Sequence, residues 1–143
     1  MKNMLKIPLA FITTVMAIFL STCTEKDHIN PIIDTDWEVY SITSPDKKYI
    51  IISPTPYEVN FQKDNVLTMR LDVNSCGGTY SVDNSTSMNI DPMYCTEICC
   101  DKPFADTLLN ILPKINSYRI TGDDLELISS NRIINLTKIT KEN

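Results

Sequence analysis

The sequence is poor in histidine and glycine, and both shortages limit the chemistry available to it. Its one histidine, His28, lies near the N-terminus, so the rest of the chain has no Ser-His or Cys-His pair for nucleophilic catalysis. Its three glycines form no loop that would cradle phosphate groups, and no Walker-type lysine is present. Internal repeats and low-complexity segments are also absent. We therefore predict that the protein is not an enzyme and uses no cofactor or metal.

Positive charge is scarce as well. All 18 acidic residues follow residue 22, whereas Lys2 and Lys6 precede it, which leaves 11 basic residues and a formal net charge of −7 after that point. A chain this acidic repels phosphate backbones, and it contains no basic stripe that would reverse the repulsion. We predict that the protein does not bind nucleic acid.

The first 22 residues are typical of a bacterial export signal. Two lysines precede an apolar run, Ile7 to Leu20, which is too short to span a bilayer comfortably. Leu20-Ser21-Thr22-Cys23 then resembles a lipobox, the motif in which the cysteine is acylated and becomes the mature N-terminus. Acyl chains anchor a protein because each methylene buried in the bilayer contributes about 0.8 kcal/mol to the free energy of membrane binding. We predict that residues 1–22 are removed and that Cys23 anchors the protein to the outer membrane, on its periplasmic or surface face.

Residues 23–35 are polar and without periodicity, which predicts a flexible tether between the lipid and a folded domain. Acidic and lysine side chains this close to Cys23 resemble the surface-export tether of Bacteroidetes lipoproteins. His28 lies in this tether, where a lone histidine is expected to be solvated. We predict one folded domain over residues 36–140 and expect it to be a monomer.

The first half of the domain is rich in strand patterns. Alternation of apolar and polar residues predicts strands at Asp36–Ile42, Lys48–Ser53, Tyr57–Gln62, Val66–Val73, Thr79–Val82 and Ser87–Ile90. Pro54 and Pro56 are expected to end the second of these strands. In the fourth, Leu67, Met69, Leu71 and Val73 are expected to share one buried face. Trp37, at the start of the first strand, is expected to fill the core rather than stack on a ligand.

A helix and three strands complete the domain. Asp101 is expected to cap a helix over Lys102–Pro113, with Pro103 in its first turn. The apolar stripe of this helix is expected to cover one face of the sheet, and it consists of Phe104, Leu108, Leu109 and Leu112. Further strands are predicted at Asn116–Thr121, Asp124–Ser129 and Arg132–Ile139, joined by tight turns at Gly122-Asp123 and Ser130-Asn131. The acidic pair Asp123-Asp124 falls at a turn, where solvated acids are expected.

These elements predict an α+β domain. Its sheet is expected to be a strongly twisted antiparallel sheet or partly closed β-barrel of eight or nine short strands. The helix is inserted before the last three strands.

Four cysteines, Cys76, Cys95, Cys99 and Cys100, lie between the first strands and the helix. An even set in an exported chain favours disulfides. A zinc site is an alternative, although Cys-x-x-x-Cys-Cys is not the usual Cys-x-x-Cys knuckle. A redox-active thiol is another, because Cys100 precedes the helix and Lys102 is close to it. Among disulfides, a bridge between adjacent residues requires a strained peptide, so Cys76–Cys99 is favoured, Cys76–Cys100 is possible, and Cys76–Cys95 is least expected.

An ordered series of short motifs runs through the domain. It begins with Asn74, Gly78-Thr79-Tyr80, Met88-Asn89-Ile90 and Thr96-Glu97-Ile98-Cys99-Cys100, and it continues with Phe104, Leu108, Tyr118-Arg119-Ile120, Gly122-Asp123 and Leu125-Glu126-Leu127. This series, from Trp37 to Ile139, resembles the META domain family. Val73 replaces the family's cysteine before Asn74, and Cys76, Cys95 and Cys99 are additional, so the family's cross-linking does not carry over. The resemblance implies a small, mostly β envelope domain, as in HslJ-like lipoproteins, linked in some members to heat stress or antibiotic tolerance and without an agreed enzymatic activity.

Two functions are consistent with these patterns, and we prefer the first. In the first, the domain is non-catalytic and structural or protein-binding. In the second, it carries a lipid or another small hydrophobic ligand in an apolar pocket between helix and sheet. A cavity at that place would favour the carrier, and a filled core would favour the first function. The residues expected to fill it are Trp37, Met69, Leu71, Phe104 and Leu108.

The lipid anchor is directly testable. In cells that produce Cys23→Ser, we expect a soluble or unprocessed protein, because the only proposed acylation site is gone. Intact-mass measurement and membrane fractionation report both properties. A variant that fractionates and migrates like the unaltered protein would show that the lipobox interpretation is wrong.

Overall fold

In the computed structural model, the described residues are 30–83 and 86–140. Across them the chain forms nine strands, one α-helix and one 3-10 turn. The strands are β1 Asp36–Thr43, β2 Ile50–Phe61, β3 Val66–Arg70, β4 Ser75–Val82, β5 Met88–Ile90, β6 Tyr94–Cys95, β7 Ser117–Thr121, β8 Asp124–Ile128 and β9 Ile133–Lys138. The helix, α1, is Pro103–Ile111, and the 3-10 turn Leu112–Lys114 follows it. The predicted signal sequence, Cys23 and His28 lie outside the described residues. No helix in the described part of the chain has the length and apolarity to cross a membrane.

The strands form one antiparallel sheet in the order β5-β4-β3-β2-β1-β9-β8-β7, and β6 pairs with β4 beside β5. The two ends of this order meet, because Ser87 and Ser117 form an antiparallel bridge. The Met88 N–H also donates to the Asn116 carbonyl oxygen at 3.1 Å. The sheet is therefore a nearly closed barrel with one helix before its last three strands, which confirms the predicted fold class.

Strand β2 corrects the prediction that Pro54 and Pro56 separate two strands. It runs without interruption from Ile50 to Phe61. Its register with β1 shifts at the prolines, since Val39 pairs with Tyr57 whereas Ser41 pairs with Ile52. Residues 53–56 thus bulge out of the ladder, where a proline nitrogen has no hydrogen bond to lose.

Strand β3 ends earlier than its alternating pattern predicts. The Leu71 N–H donates to the Asn74 carbonyl oxygen at 2.8 Å, so the chain turns after Arg70. Leu67, Met69 and Leu71 are buried as predicted, but the side chain of Val73 is 47% exposed. The buried apolar face of this segment is therefore one residue shorter than predicted, because the turn rotates Val73 toward solvent.

The ordered domain starts within the predicted tether. Ile32 is completely buried, and Ile33 forms a parallel bridge with Phe61. The Trp37 indole N–H donates to the Ile32 carbonyl oxygen at 3.3 Å. Residues 30–35 are thus part of the domain rather than a flexible tether. Burial of two isoleucines contributes more favourable free energy than the segment loses in conformational entropy.

Helix α1 covers the sheet as predicted. Phe104, Leu108 and Leu112 are buried, and the Phe104 ring stacks on Tyr57 of β2 with ring centroids 5.4 Å apart. The residue at the N-cap is Lys102, and no side chain caps this end. The prediction that Asp101 caps the helix is therefore wrong, because its carboxylate is bound elsewhere.

The interior between helix and sheet is filled. The five residues expected to fill it, Trp37, Met69, Leu71, Phe104 and Leu108, are all buried, and none exceeds 6% exposure. They belong to one continuous core cluster with the apolar residues of β8 and β9. A filled core is the arrangement that favours the non-carrier function.

The central position of Leu108 makes a stability prediction. Leu108→Ala should lower the free energy of unfolding by about 2–5 kcal/mol, because it leaves a cavity under the helix. For a domain of this size the melting temperature should fall by roughly 10 °C or more. Asn110→Ala, an exposed position on the same helix, is the matched control and should change the melting temperature little. Equal melting of both variants would show that Leu108 is not a core residue.

Candidate functional site

The four domain cysteines form two disulfides. Cys76 is bonded to Cys95, and their Cα atoms are 4.0 Å apart. The predicted Cys76–Cys99 pairing is therefore wrong. Strand β6 decides the pairing, because it places Cys95 directly opposite Cys76 on β4. In the chain-entropy model, closing the loop between Cys76 and Cys95 adds about 3 kcal/mol to the free energy of unfolding.

Cys99 and Cys100 form the second disulfide, between adjacent residues that are both exposed. All four sulfurs are thus engaged, and a disulfide sulfur is not the thiolate that zinc or a redox nucleophile requires. The described part of the chain contains no group of metal-ligating side chains. In this structure the cysteines act as cross-links.

Asn74 is the centre of the polar contacts around these disulfides. Its side chain is buried and uses its full hydrogen-bonding capacity. The amide nitrogen donates to the Ile98 carbonyl oxygen and to Asp101 Oδ2, both at 2.6 Å. The amide oxygen accepts from Thr96 Oγ1 and from the Ile98 N–H, both at 2.8 Å. Asn74 thereby attaches the segment before the helix to the β3–β4 turn.

Asp101 completes this attachment. Its Oδ1 accepts the Val73 N–H at 2.9 Å and the Asn74 N–H at 3.2 Å. These two N–H groups have left the β3 ladder, and the carboxylate satisfies them in place of a strand partner. This role explains why Asp101 does not cap the helix.

Asp72 binds the other side of the same turn. It accepts hydrogen bonds from Tyr57 Oη at 2.5 Å, from Thr55 Oγ1 at 2.8 Å and from the Lys102 N–H at 3.0 Å. The Lys102 ammonium also lies 3.3 Å from Oδ1. Asp72 therefore joins β2 to the start of the helix. No local sequence pattern marks Asp72 as a functional or structural site, because its partners are distant in sequence.

The pKa values of these groups follow from their contacts. Partial burial would raise the pKa of Asp72, but hydrogen bonds from Tyr57, Lys102 and Thr55 outweigh it and hold the pKa well below its usual range. Burial also acts to raise the pKa of Asp101, and donors from Val73 and Asn74 likewise lower it overall. Burial and the bond to Asp72 raise the pKa of Tyr57 to about 12. The contacts are therefore strongest with Asp72 and Asp101 ionised and Tyr57 neutral.

A second feature lies on the outer face of the β1–β2 hairpin. Ile50, Ile52 and Tyr40 are 57%, 68% and 43% exposed, and we call these three residues the hairpin patch. Ile50 and Ile52 are alternate residues of β2 and point to the same outer face. Tyr40 lies at the bulge of β1, between the buried residues Val39 and Ile42, and its side chain also points outward. The acidic pair Asp123-Asp124 lies at an exposed turn, as predicted. Trp37 is buried and is not available to a ligand.

The sequence as a whole matches a known family. The model of the META domain matches residues 30–140, which is most of the chain. This chain belongs to the META domain family. The match begins at residue 30, where the described fold begins, and it includes Asn74 and both disulfides.

Solved structures share this fold. A protein from Burkholderia xenovorans, determined by NMR, has a TM-score of 0.64 and 14% identity over 78% of this chain and 86% of its own. A DUF4847 family protein from Bacteroides vulgatus, determined by crystallography, has a TM-score of 0.58 and 14% identity over 76% of this chain and 95% of its own. No curated protein matches the sequence. At 14% identity, the likeness of these structures shows a shared fold and nothing about function.

The lowered pKa of Asp72 predicts how stability depends on pH. Because the folded pKa of Asp72 lies below the unfolded value of about 3.9, its stabilisation is fully present above the unfolded value and is lost progressively as the pH falls from there through the folded pKa. Asp72→Asn should cost about 1–3 kcal/mol at pH 7 and should reduce the loss of stability on acidification. Thermal melting from pH 7 to pH 2 measures both effects.

Asp106→Asn is the matched control for this prediction. Asp106 is an exposed acid in the first turn of α1. Replacing this carboxylate should lower the free energy of unfolding by less than about 1 kcal/mol. If Asp72→Asn and Asp106→Asn have the same melting temperature at every pH, the contacts of Asp72 do not stabilise the domain.

Proposed function

We propose that this META domain is a non-catalytic protein-binding module, anchored by lipid at Cys23 to the bacterial outer membrane. The anchor is supported by the order of charges, apolar run and cysteine in residues 1–23. Its partner, under this proposal, is an extended segment of another protein. The observation that carries the proposal is the hairpin patch together with the strand edge beside it.

The hairpin patch places large apolar side chains where a partner can reach them. Ile50 and Ile52 alternate with Ile51, which packs against the core, so the two exposed isoleucines point outward together. Exposed apolar groups at neighbouring positions are characteristic of interaction surfaces. Burial of two isoleucines would supply much of the energy of a modest interface.

The edge of β2 next to the hairpin patch is open. Residues 50–52 pair with β1 on one side, whereas β3 pairs with β2 only from Glu58 onward. Among the described residues, no strand pairs with the other side of 50–52. An open edge of this kind accepts an added strand, with main-chain hydrogen bonds for affinity and side-chain contacts for specificity.

Pro54 and Pro56 limit this edge. A proline has no N–H to donate to an added strand, so the accepting segment ends at Ser53. A short edge binds one partner segment and resists the open-ended pairing that leads to aggregation. The prolines therefore favour a defined partner over self-association, in agreement with the expectation of a monomer.

Two other functions receive less support. The four domain cysteines are in disulfides, and Asp72 and Asp101 bind structural donors, which leaves these six groups poorly suited to act as nucleophile or base. A lipid carrier needs space between helix and sheet, and core side chains occupy that space.

The proposal is tested with the full-length protein in its own membranes. A photo-crosslinking amino acid at position 52 should form a discrete adduct with another protein, whereas the same group at position 110 on α1 should not. Ile50→Lys should reduce the adduct at position 52, because a lysine disfavours docking at a strand edge.

Three results would contradict the proposal. They are identical adducts at positions 52 and 110, adducts with lipid only, and an adduct at position 52 that Ile50→Lys leaves unchanged. An adduct with a second copy of this chain would instead show that the edge is a dimer interface.

A further inference from the structure

The Cys99–Cys100 disulfide joins two adjacent residues of the segment between β6 and α1. The Cys76–Cys95 disulfide, by contrast, joins residues 19 positions apart and holds β6 against β4. In the chain-entropy model a disulfide stabilises a fold by closing a loop of chain, and the stabilisation grows with the length of that loop. A bridge between neighbours closes no such loop. Stabilisation of the fold therefore does not explain why Cys99 and Cys100 are joined.

The two disulfides also differ in their exposure to solvent. Cys99 and Cys100 are both exposed. Cys76 is only 4% exposed and belongs to the core cluster, and Cys95 is half-buried against that cluster. In thiol–disulfide exchange a thiolate must reach a disulfide sulfur, and exposed disulfides are typically the labile or regulatory ones. A reductant can therefore attack Cys99–Cys100 while Cys76–Cys95 stays protected.

Exposed apolar side chains lie beside the accessible disulfide. Ile98 directly precedes Cys99 and is 59% exposed. Val73 is 47% exposed, and its N–H donates to Asp101, the residue directly after Cys100. Neighbouring exposed apolar groups are characteristic of protein interaction surfaces. This surrounding favours a protein that carries its own thiols over a small thiol compound.

The residues on either side of the disulfide are fixed by Asn74. Its side chain binds the N–H and the carbonyl oxygen of Ile98 and the carboxylate of Asp101. Reduction would open the small ring that contains the side chains of Cys99 and Cys100 and the peptide between them. These two residues would then gain conformational freedom between two fixed points. The redox state of the pair is thus coupled to the contacts that join the sheet to the helix.

We infer that Cys99–Cys100 is a reversible redox switch that a protein dithiol of the Cys-x-x-Cys class reduces, whereas Cys76–Cys95 is a permanent cross-link. The inference does not rest on the hairpin patch, which contains neither Val73 nor Ile98. As a disulfide, the pair is the group that is attacked and not the nucleophile.

The exchange has two steps. One thiolate of the partner attacks one sulfur of Cys99–Cys100, a mixed disulfide forms, and the other sulfur leaves as a thiolate that takes up a proton. The second thiolate of the partner then attacks the partner's own sulfur in the mixed disulfide and releases the second cysteine, which is also protonated. Two electrons and two protons thus pass from the partner dithiol to this chain, and the partner becomes a disulfide. The reverse exchange with the oxidised partner restores Cys99–Cys100.

The first test is selective reduction of the folded full-length protein in detergent. The protein is incubated with reduced thioredoxin or with dithiothreitol, free thiols are alkylated, and the chain is then cleaved after Glu97. This cleavage separates the two pairs, because Cys76 and Cys95 precede Glu97 whereas Cys99 and Cys100 follow it. We expect both reductants to open Cys99–Cys100 at least about tenfold faster than Cys76–Cys95.

The second test asks whether a protein docks beside the disulfide. Ile98→Ser should slow reduction by thioredoxin about tenfold, because it removes apolar surface that a protein contacts. Reduction of the same variant by dithiothreitol should be unchanged, since a small dithiol needs no such contact. Asn110→Ser, at an exposed position on α1, is the matched control and should leave both rates unchanged.

The third test measures the effect of reduction on the fold. Amide NMR signals of Asn74, Ile98 and Asp101 should shift when Cys99–Cys100 is reduced and should return on reoxidation. In the double variant Cys99→Ala/Cys100→Ala, the same treatment should shift none of them. Melting temperatures confirm that each variant is folded.

Any of four results would overturn the inference. The first is reduction of Cys76–Cys95 as fast as that of Cys99–Cys100, and the second is resistance of Cys99–Cys100 to both reductants in the folded protein. The third is an Ile98→Ser variant that thioredoxin reduces at the unaltered rate, or that both reductants reduce equally slowly. The last is reduction of Cys99–Cys100 without a shift of the three amide signals.

Discussion

The side chain of Asn74 is the contact on which the junction of sheet and helix depends. One buried amide binds the main chain at Ile98, the hydroxyl of Thr96 and the carboxylate of Asp101. These groups belong to a segment with little secondary structure, whose main-chain polar groups would otherwise be buried without partners. Buried networks of this kind stabilise a fold only when every member is satisfied, and here the amide is fully used.

The Cys76–Cys95 disulfide and Asp72 reinforce this junction from either side. The disulfide holds β6 against β4, and Asp72 joins β2 to Lys102 at the start of the helix. The helix can then lie across the barrel with Phe104 on Tyr57 and Leu108 in the core. Because the interior is filled in this way, the surfaces of the domain are its available binding sites.

The surface proposed to bind a partner is formed by one edge of the sheet. The hairpin patch is apolar and lies beside an open strand edge, which suits a polypeptide.

The barrel with its inserted helix and most strands could be predicted from the sequence, because alternation with a period of two and a helical apolar stripe are local signals. The family was indicated by its resemblance to an ordered series of short motifs. Three predictions were wrong: the Cys76–Cys99 disulfide, the helix cap by Asp101 and the end of a strand at Pro54 and Pro56. Strand β6 has two residues, too few to show a period, yet its register with β4 sets the disulfide. This pairing and the hydrogen-bond donors around Asp72 became known from the folded arrangement of the strands. Each depends on which distant strands lie side by side, and a local pattern does not encode that register.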